Sequence, residues 1–158
     1  MIERYSRPEM RALWTDEARY GAWLRVELAV CEVLAERGVI PAASLATIRK
    51  RAGFDAARIA EIEREVKHDV IAFTTSVAEH VGPDSRFIHY GMTPSDVIDS
   101  VPSFQAFASA DLLLAGCDRA LAARRARARE HRNTPCVGRT HGIHAEPTTF
   151  GVQLAQAY

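Results

Sequence analysis

The chain has 158 residues, 47% hydrophobic and 25% charged, enough for an ordinary globular core. Its 20 basic and 20 acidic residues cancel, so no nucleic acid or anionic membrane is expected as a partner held by long-range attraction. No apolar run approaches membrane-spanning length, so no membrane span is expected.

The expected fold class is all-α, because almost every periodic segment is helical. Over residues 16–37, Tyr20, Trp23, Leu24, Leu28, Cys31 and Leu34 recur at three- and four-residue steps. Gly38 should end that helix as a left-handed cap, and Pro41 should open the next. Asp55 can cap a third helix with Ile59, Ile62 and Val66 as its stripe. After a break at His68 and Asp69, the spacing resumes through Val70, Phe73, Val77 and Val81. Residues 82–94 read as a loop from Gly82, Pro83, Asp84, Ser85 and Gly91. Thr93, Pro94 and Asp96 then supply an N-cap, a proline at N1 and a carboxylate at N3. A long helix is expected from there to about Arg132, kinked or broken by Pro102.

Residues 138–147 (GRTHGIHAEP) interleave titratable side chains with small residues. Gly138 and Gly142 resist a helix, so the segment reads as a shaped loop, with Pro147 placed to start a new helix. Phe150, Leu154 and Tyr158 lie four apart on one face of that helix. It carries no stop signal, so the chain is expected to be the N-terminal part of a longer protein.

Three places combine histidine with polar surroundings: His68 beside Asp69, His89 between Ile88 and Tyr90, and the loop with His141 and His144. His68 reads either as a carboxylate-tuned histidine or, more commonly, as a helix-end histidine meeting a C-terminal dipole. His89 alone can be a packed loop histidine. Thr93 and Ser95 can receive an anion at a helix start, although capping explains them as well. His141 and His144 with Glu146 invite a zinc reading, which Gly142, Pro147 and the lack of a nearby cysteine disfavour. No metal is expected. The run Arg119, Arg124, Arg125, Arg127, Arg129 and Arg132 lacks interleaved aromatics and reads as a solvated face or a contact with an acidic partner surface. Cys31, Cys117 and Cys136 are odd in number and far apart, and residues 1–6 lack a basic-then-apolar leader pattern. Reduced thiols in a cytoplasmic protein are therefore expected.

In their order, residues 1–6 (MIERYS), Leu13 to Thr15, Lys67 to Val70, His89 to Thr93, Ser95 to Val97 and residues 138–151 resemble the adenylosuccinate lyase family. This family lies within the fumarase, aspartase and argininosuccinate lyase superfamily. The resemblance covers essentially the whole chain but only the N-terminal part of the family's sequence. It implies an N-terminal helical domain over residues 1–93 and, over 94–158, the beginning of a long central helix bundle. It also implies a homotetramer with active sites shared between subunits, a nucleotide substrate, and no metal or organic cofactor.

The implied reaction is β-elimination of fumarate from adenylosuccinate, and from the succinylated aminoimidazole carboxamide ribotide. By resemblance His141 is the general acid and His68 orients substrate or partner groups. Arg4, Tyr5, Lys67, His68, Asp69, His89, Thr93 and Pro94 fall where the family contacts its substrate. Pro94 stands where the family typically has serine, and Pro102 where it usually continues a helix. The family's base, a serine on a flexible loop, is expected beyond Tyr158, so this piece is expected to be inactive alone. The competing readings are an argininosuccinate-type sister lyase, a related cycloisomerase, or a non-catalytic helical interaction module. His144 to Glu146 and Arg4 with Tyr5 favour the adenylosuccinate branch.

Overall fold

Tyr20, Trp23 and Cys31 fall on one side of a helix and are buried together, with Leu24, Leu28 and Leu34 packed partly against the same core. A computed structural model describes residues 2–157 and assigns that helix, α2, to Asp16–Glu36. It follows a 3₁₀ turn at Glu3–Tyr5 and a short α1 at Pro8–Ala12. Thr15 caps α2 by accepting from Ala18 N–H. Gly38 ends it with a φ of 74°: its N–H donates to Ala35 O and Val39 N–H donates to Leu34 O, two bonds that close the last turn.

Beyond Pro41 comes α3 (Ala42–Arg51), then α4 (Ala56–Val66), α5 (Asp69–Val81) and a 3₁₀ turn at Pro83–Phe87 inside the stretch expected as loop. Asp55 caps α4 by accepting from the N–H groups of Ala57 and Arg58 at 2.8 and 3.0 Å. Ile59 and Ile62 are buried, but Val66, expected on the same stripe, is exposed because the helix ends there. Phe73 of α5 takes Tyr20 in a stacked contact at 5.9 Å and Trp23 edge-on at 5.4 Å. These rings, with Val70, Val77 and Val81, form the centre of the core.

The expected long helix begins later than Pro94. A five-residue α6 (Pro94–Ile98) ends at Asp99, and α7 (Ser100–Glu130) starts afresh. Pro102 therefore lies in the first turn of α7, where an N–H has no intrahelical acceptor and its loss costs little. The break falls just upstream of the proline, whose ring would clash with a continuing turn.

The chain divides into two compact units between Ser109 and Ala110. In the first, Gln105 donates to Leu13 O at 2.7 Å and Trp14 Nε1 donates to Ser109 Oγ at 3.1 Å. In the second, residues 138–147 are not a loop leading into a helix at Pro147. They belong to an antiparallel hairpin of β1 (Pro135–Thr140) and β2 (Ile143–Thr149). Helix α8 (Phe150–Ala155) starts after Pro147, with Thr149 accepting from Val152 N–H as its cap. Strand pairing overrides the helix-start preference of Pro147. In a two-stranded ribbon both strands are edges, where a missing N–H is tolerated. Pro147 pairs with Val137 next to a bulge. There Gly138 comes so near Glu146 that a Cβ would lie 3.0 Å from its carbonyl oxygen. Tyr158, expected on the α8 face, lies outside the described residues. Helix α7 buries only Val101 among its described residues, leaving Phe107, Leu113 and Leu114 well exposed.

Candidate functional site

Lys67 and His68 form the two-residue link between α4 and α5. Lys67 takes a left-handed backbone (φ 56°) and its N–H donates to Glu63 O. That turn lets the chain reverse into α5, and Lys67 lines a shallow groove with Ala60, Glu63 and Arg64. His68 is the N-cap of α5: its Nδ1 accepts from Ile71 N–H at 3.4 Å. This corrects the expectation of a histidine at a helix C-terminus, because the residue that ends α4 is Lys67. An accepting Nδ1 puts the ring proton on Nε2. The same Nδ1 lies 3.5 Å from Asp69 Oδ1, which already accepts from Val70 N–H at 2.7 Å. Asp69 is thus mainly a first-turn carboxylate on α5.

His89 is held from across the core. Glu27, in the middle of α2 and fully buried, accepts from His89 N–H with Oε2 at 2.8 Å. Its Oε1 lies 2.6 Å from His89 Nδ1. One turn along α2, Cys31 S–H donates to Phe87 O at 3.6 Å, so the helix fixes the segment at two points. Sequence reading missed Glu27. The signal was present: Glu27 continues the stripe of Tyr20, Trp23, Cys31 and Leu34, and a carboxylate on an apolar stripe needs a buried partner.

Thr93 N–H donates to Asp96 Oδ2 at 2.7 Å, fixing the start of α6 with Pro94 in its first position. Asp96 thereby supplies the reach-back bond at this helix start, with Thr93 as the N-cap residue. In the 3₁₀ turn before α1, the Arg4 guanidinium lies 4.8 Å from the centre of the Tyr5 ring, and Tyr5 is largely exposed.

In the second unit His141 and Gly142 are the two turn residues of the hairpin, both with positive φ (47° and 78°). Such a turn matches the twist of the strands it joins. His141 is exposed, and within its unit its ring makes no hydrogen bond among the described residues. His144 pairs with Arg139 in the ladder. No cluster of three or more His, Cys, Asp and Glu side chains suited to a metal ion occurs among the described residues. The arginines of α7 are mostly exposed, with an Arg127–Glu130 ion pair along the helix.

Lys67, His89 and His141 are the non-glycine residues with positive φ among the described residues. A left-handed backbone costs a side-chain-bearing residue roughly 1–2 kcal/mol, and such strain gathers where function imposes it. The strained positions coincide with residues singled out from the sequence.

Residues 3–158 match a protein family described as Lyase. The chain is 50% identical over 155 residues to the adenylosuccinate lyase of Bacillus subtilis, covering 98% of this chain and 36% of that protein. It is 53% identical over 155 residues to the adenylosuccinate lyase of a Synechocystis species, again with 98% and 36% covered. Among solved structures it resembles a fumarate lyase from Mesorhizobium sp. BNC1 with a TM-score of 0.86 and 27% identity, covering 93% of this chain and 36% of that one. It also resembles the 3-carboxy-cis,cis-muconate lactonizing enzyme of Pseudomonas putida with a TM-score of 0.84 and 27% identity, covering 96% and 36%. The chain thus spans little more than a third of each of these proteins.

Proposed function

From a chain that belongs to the Lyase family across residues 3–158, we infer that the protein it represents is a carbon–nitrogen lyase of purine biosynthesis. It splits adenylosuccinate into AMP and fumarate, and the succinylated aminoimidazole carboxamide ribotide into its carboxamide and fumarate. The likeness to curated adenylosuccinate lyases favours this substrate over that of an argininosuccinate-type lyase or a cycloisomerase. The structural observation that carries the site is the left-handed backbone at Lys67, His89 and His141.

In this reading a base takes the proton from the succinyl carbon next to the carboxylate. That C–H pair becomes the fumarate double bond, the C–N bond breaks, and its electrons go to the leaving nitrogen. His141 protonates that nitrogen as general acid, a task imidazolium performs near neutral pH. His68 orients substrate or partner groups. Arg4, Tyr5, Lys67, Asp69, His89, Thr93 and Pro94 contact the nucleotide, with a backbone group or Ser95 replacing the hydroxyl that Pro94 lacks. The chemistry calls for no metal or organic cofactor.

The N-terminal helical domain closes near Thr93, and residues from Pro94 onward begin a central bundle. The exposed Phe107, Leu113 and Leu114 of α7 support a homotetramer in which other subunits cover these side chains and complete the active sites. Among the described residues no helix is long and apolar enough to cross a membrane, and a cytoplasmic location fits the free cysteines.

The test is fumarate release from adenylosuccinate by the intact protein beside its His141→Gln variant. The parent should turn over, and the variant should fall by about 10²–10⁴-fold, the usual weight of a general acid. A folded parent that is silent on adenylosuccinate but active on argininosuccinate would replace the substrate.

A further inference from the structure

Glu27 is an anomaly for any account based on packing alone. Its side chain has no exposure, it sits in the apolar stripe of α2, and both carboxylate oxygens are committed to one residue 62 positions away. A buried carboxylate is costly unless fully paired, so a helix that needed only bulk there would carry an apolar residue.

The geometry determines what Glu27 does to His89. The main-chain N–H of His89 can only donate, so Oε2 accepts from it. An ionised carboxylate has no proton to give, so towards Glu27 in that form His89 Nδ1, 2.6 Å from Oε1, is the donor. The hydrogen bond at one ring nitrogen decides the role of the other. With Nδ1–H turned to Glu27, Nε2 is the nitrogen left for a ligand, on a ring that is still 18% exposed. The one carboxylate bonds both the main-chain N–H and the ring of His89, a residue that adopts a left-handed backbone (φ 61°). Glu27 therefore offsets the strain at His89 and aligns its ring in one step.

We propose that Glu27 is a positioning residue for substrate binding, which locks His89 as the Nδ1–H tautomer and leaves Nε2 to engage the substrate. This rests on the reading of His89 as a substrate contact. Glu27 itself touches no substrate.

The test substitutes Glu27→Gln in the intact protein. Glutamine keeps the shape but offers one oxygen and one NH₂ in place of two oxygens. With its oxygen on His89 N–H, its NH₂ faces Nδ1 and turns that nitrogen into an acceptor, moving the ring proton to Nε2. Solid-state NMR of ¹⁵N-histidine-labelled protein, with His89→Gln identifying the signal, should show Nδ1–H in the parent and Nε2–H in Glu27→Gln. The variant should raise KM for adenylosuccinate about tenfold, one hydrogen bond's worth, with kcat within about twofold.

An unprotonated Nδ1 in the parent overturns the proposal, and so does a flipped tautomer with unchanged KM. A fall in kcat alone also overturns it, because it would mark a part in the chemistry and not in binding. If His89→Gln leaves KM unchanged while the parent carries Nδ1–H, the fault lies in reading His89 as a substrate contact, and Glu27 then has no part in binding.

Discussion

Gly151 at the start of α8 lies against the carbonyl oxygen of Ala128 in α7 with no space for a side chain between them. A Cβ there would also sit 2.7 Å from Arg132 Cα and 2.8 Å from Arg132 N. Two main-chain bonds at 2.9 Å, Phe150 N–H to Thr134 O and Gly151 N–H to His131 O, hold α8 at this approach. The hairpin carrying His141 is thus tethered at both ends to the last turns of α7. Replacing a helical glycine by alanine ordinarily gains about 0.5–1 kcal/mol. Here the backbone contacts reverse the sign: Gly151→Ala should lose about 1–3 kcal/mol by overpacking. Urea unfolding measures this, and an unchanged midpoint would show that α8 does not hold that docking in solution.

Pro102 and Ala106 make a matched pair on α7. Pro102 occupies the first turn, where its missing N–H leaves no acceptor unpaired, so Pro102→Ala should change stability by less than about 0.5 kcal/mol. Ala106 is exposed one turn further in, and Ala106→Pro should cost about 3 kcal/mol by removing an intrahelical bond and clashing with the preceding turn. Circular dichroism during thermal unfolding separates the two. Comparable losses would place the start of α7 upstream of Ser100.

How far the sequence can be read follows from what each element depends on. Gly38, Asp55, Thr93 and Pro94 act through local backbone chemistry, and each marks the boundary its residue type predicts. The hairpin depends on pairing between two segments, neither rich in strand-favouring residues and one containing Pro147, so its local signals indicated a loop and a helix start. Pro102 could be understood only once the break at Asp99 was known. At the site, His68, His89 and His141 stood out as residues. The capping bond of His68 and the Glu27–His89 pair join groups whose meeting is set by chain reversal and by α2 packing across the core.

Cys31 should be the least reactive of the three thiols. Burial, reinforced by the nearby Glu27 and Glu32 carboxylates, pushes its pKa from 9.0 up to about 11, whereas Cys117 is exposed. Iodoacetamide at pH 8 should label Cys117 rapidly and Cys31 only on unfolding. The stability consequence has a definite sign. Between about pH 9 and 11 the unfolded thiol ionises while the folded one keeps its proton, so stability falls as pH rises through that window. Burial also raises the Tyr20 hydroxyl, which adds a loss of the same sign above pH 10. Thermal unfolding of Cys31→Ala should show a shallower decline across pH 9–11 than the parent, and an identical slope would refute the assignment.

Lys67 trades stability for a role in the α4–α5 link. Glycine at this left-handed position following a helix carries no Cβ penalty, so Lys67→Gly should stabilise the protein by about 1 kcal/mol. Under the proposed function the same change removes a cation from the substrate site and should raise KM for adenylosuccinate by about tenfold or more. Unfolding midpoint and KM measured on one preparation give the answer. A stabilised variant with unaltered KM would remove Lys67 from the site.

His141 permits the sharpest separation of folding from chemistry. It occupies the first position of a two-residue hairpin turn with Gly142 second, and Asn-Gly is the pair such turns prefer. His141→Asn should therefore leave the hairpin at least as stable, with an unfolding midpoint equal to or above the parent's. Asparagine cannot donate a proton to a leaving nitrogen near neutral pH, so fumarate release should fall by at least about 10²-fold. Glycine would serve the turn less well, and alanine would add strain at φ 47°, confusing a damaged turn with a lost acid. Retained activity in His141→Asn would show that another group protonates the leaving nitrogen. Loss of activity together with a lowered midpoint would make the histidine a structural residue of the turn. Only a stable, silent variant fits a backbone strained to hold an acid that the turn itself does not need.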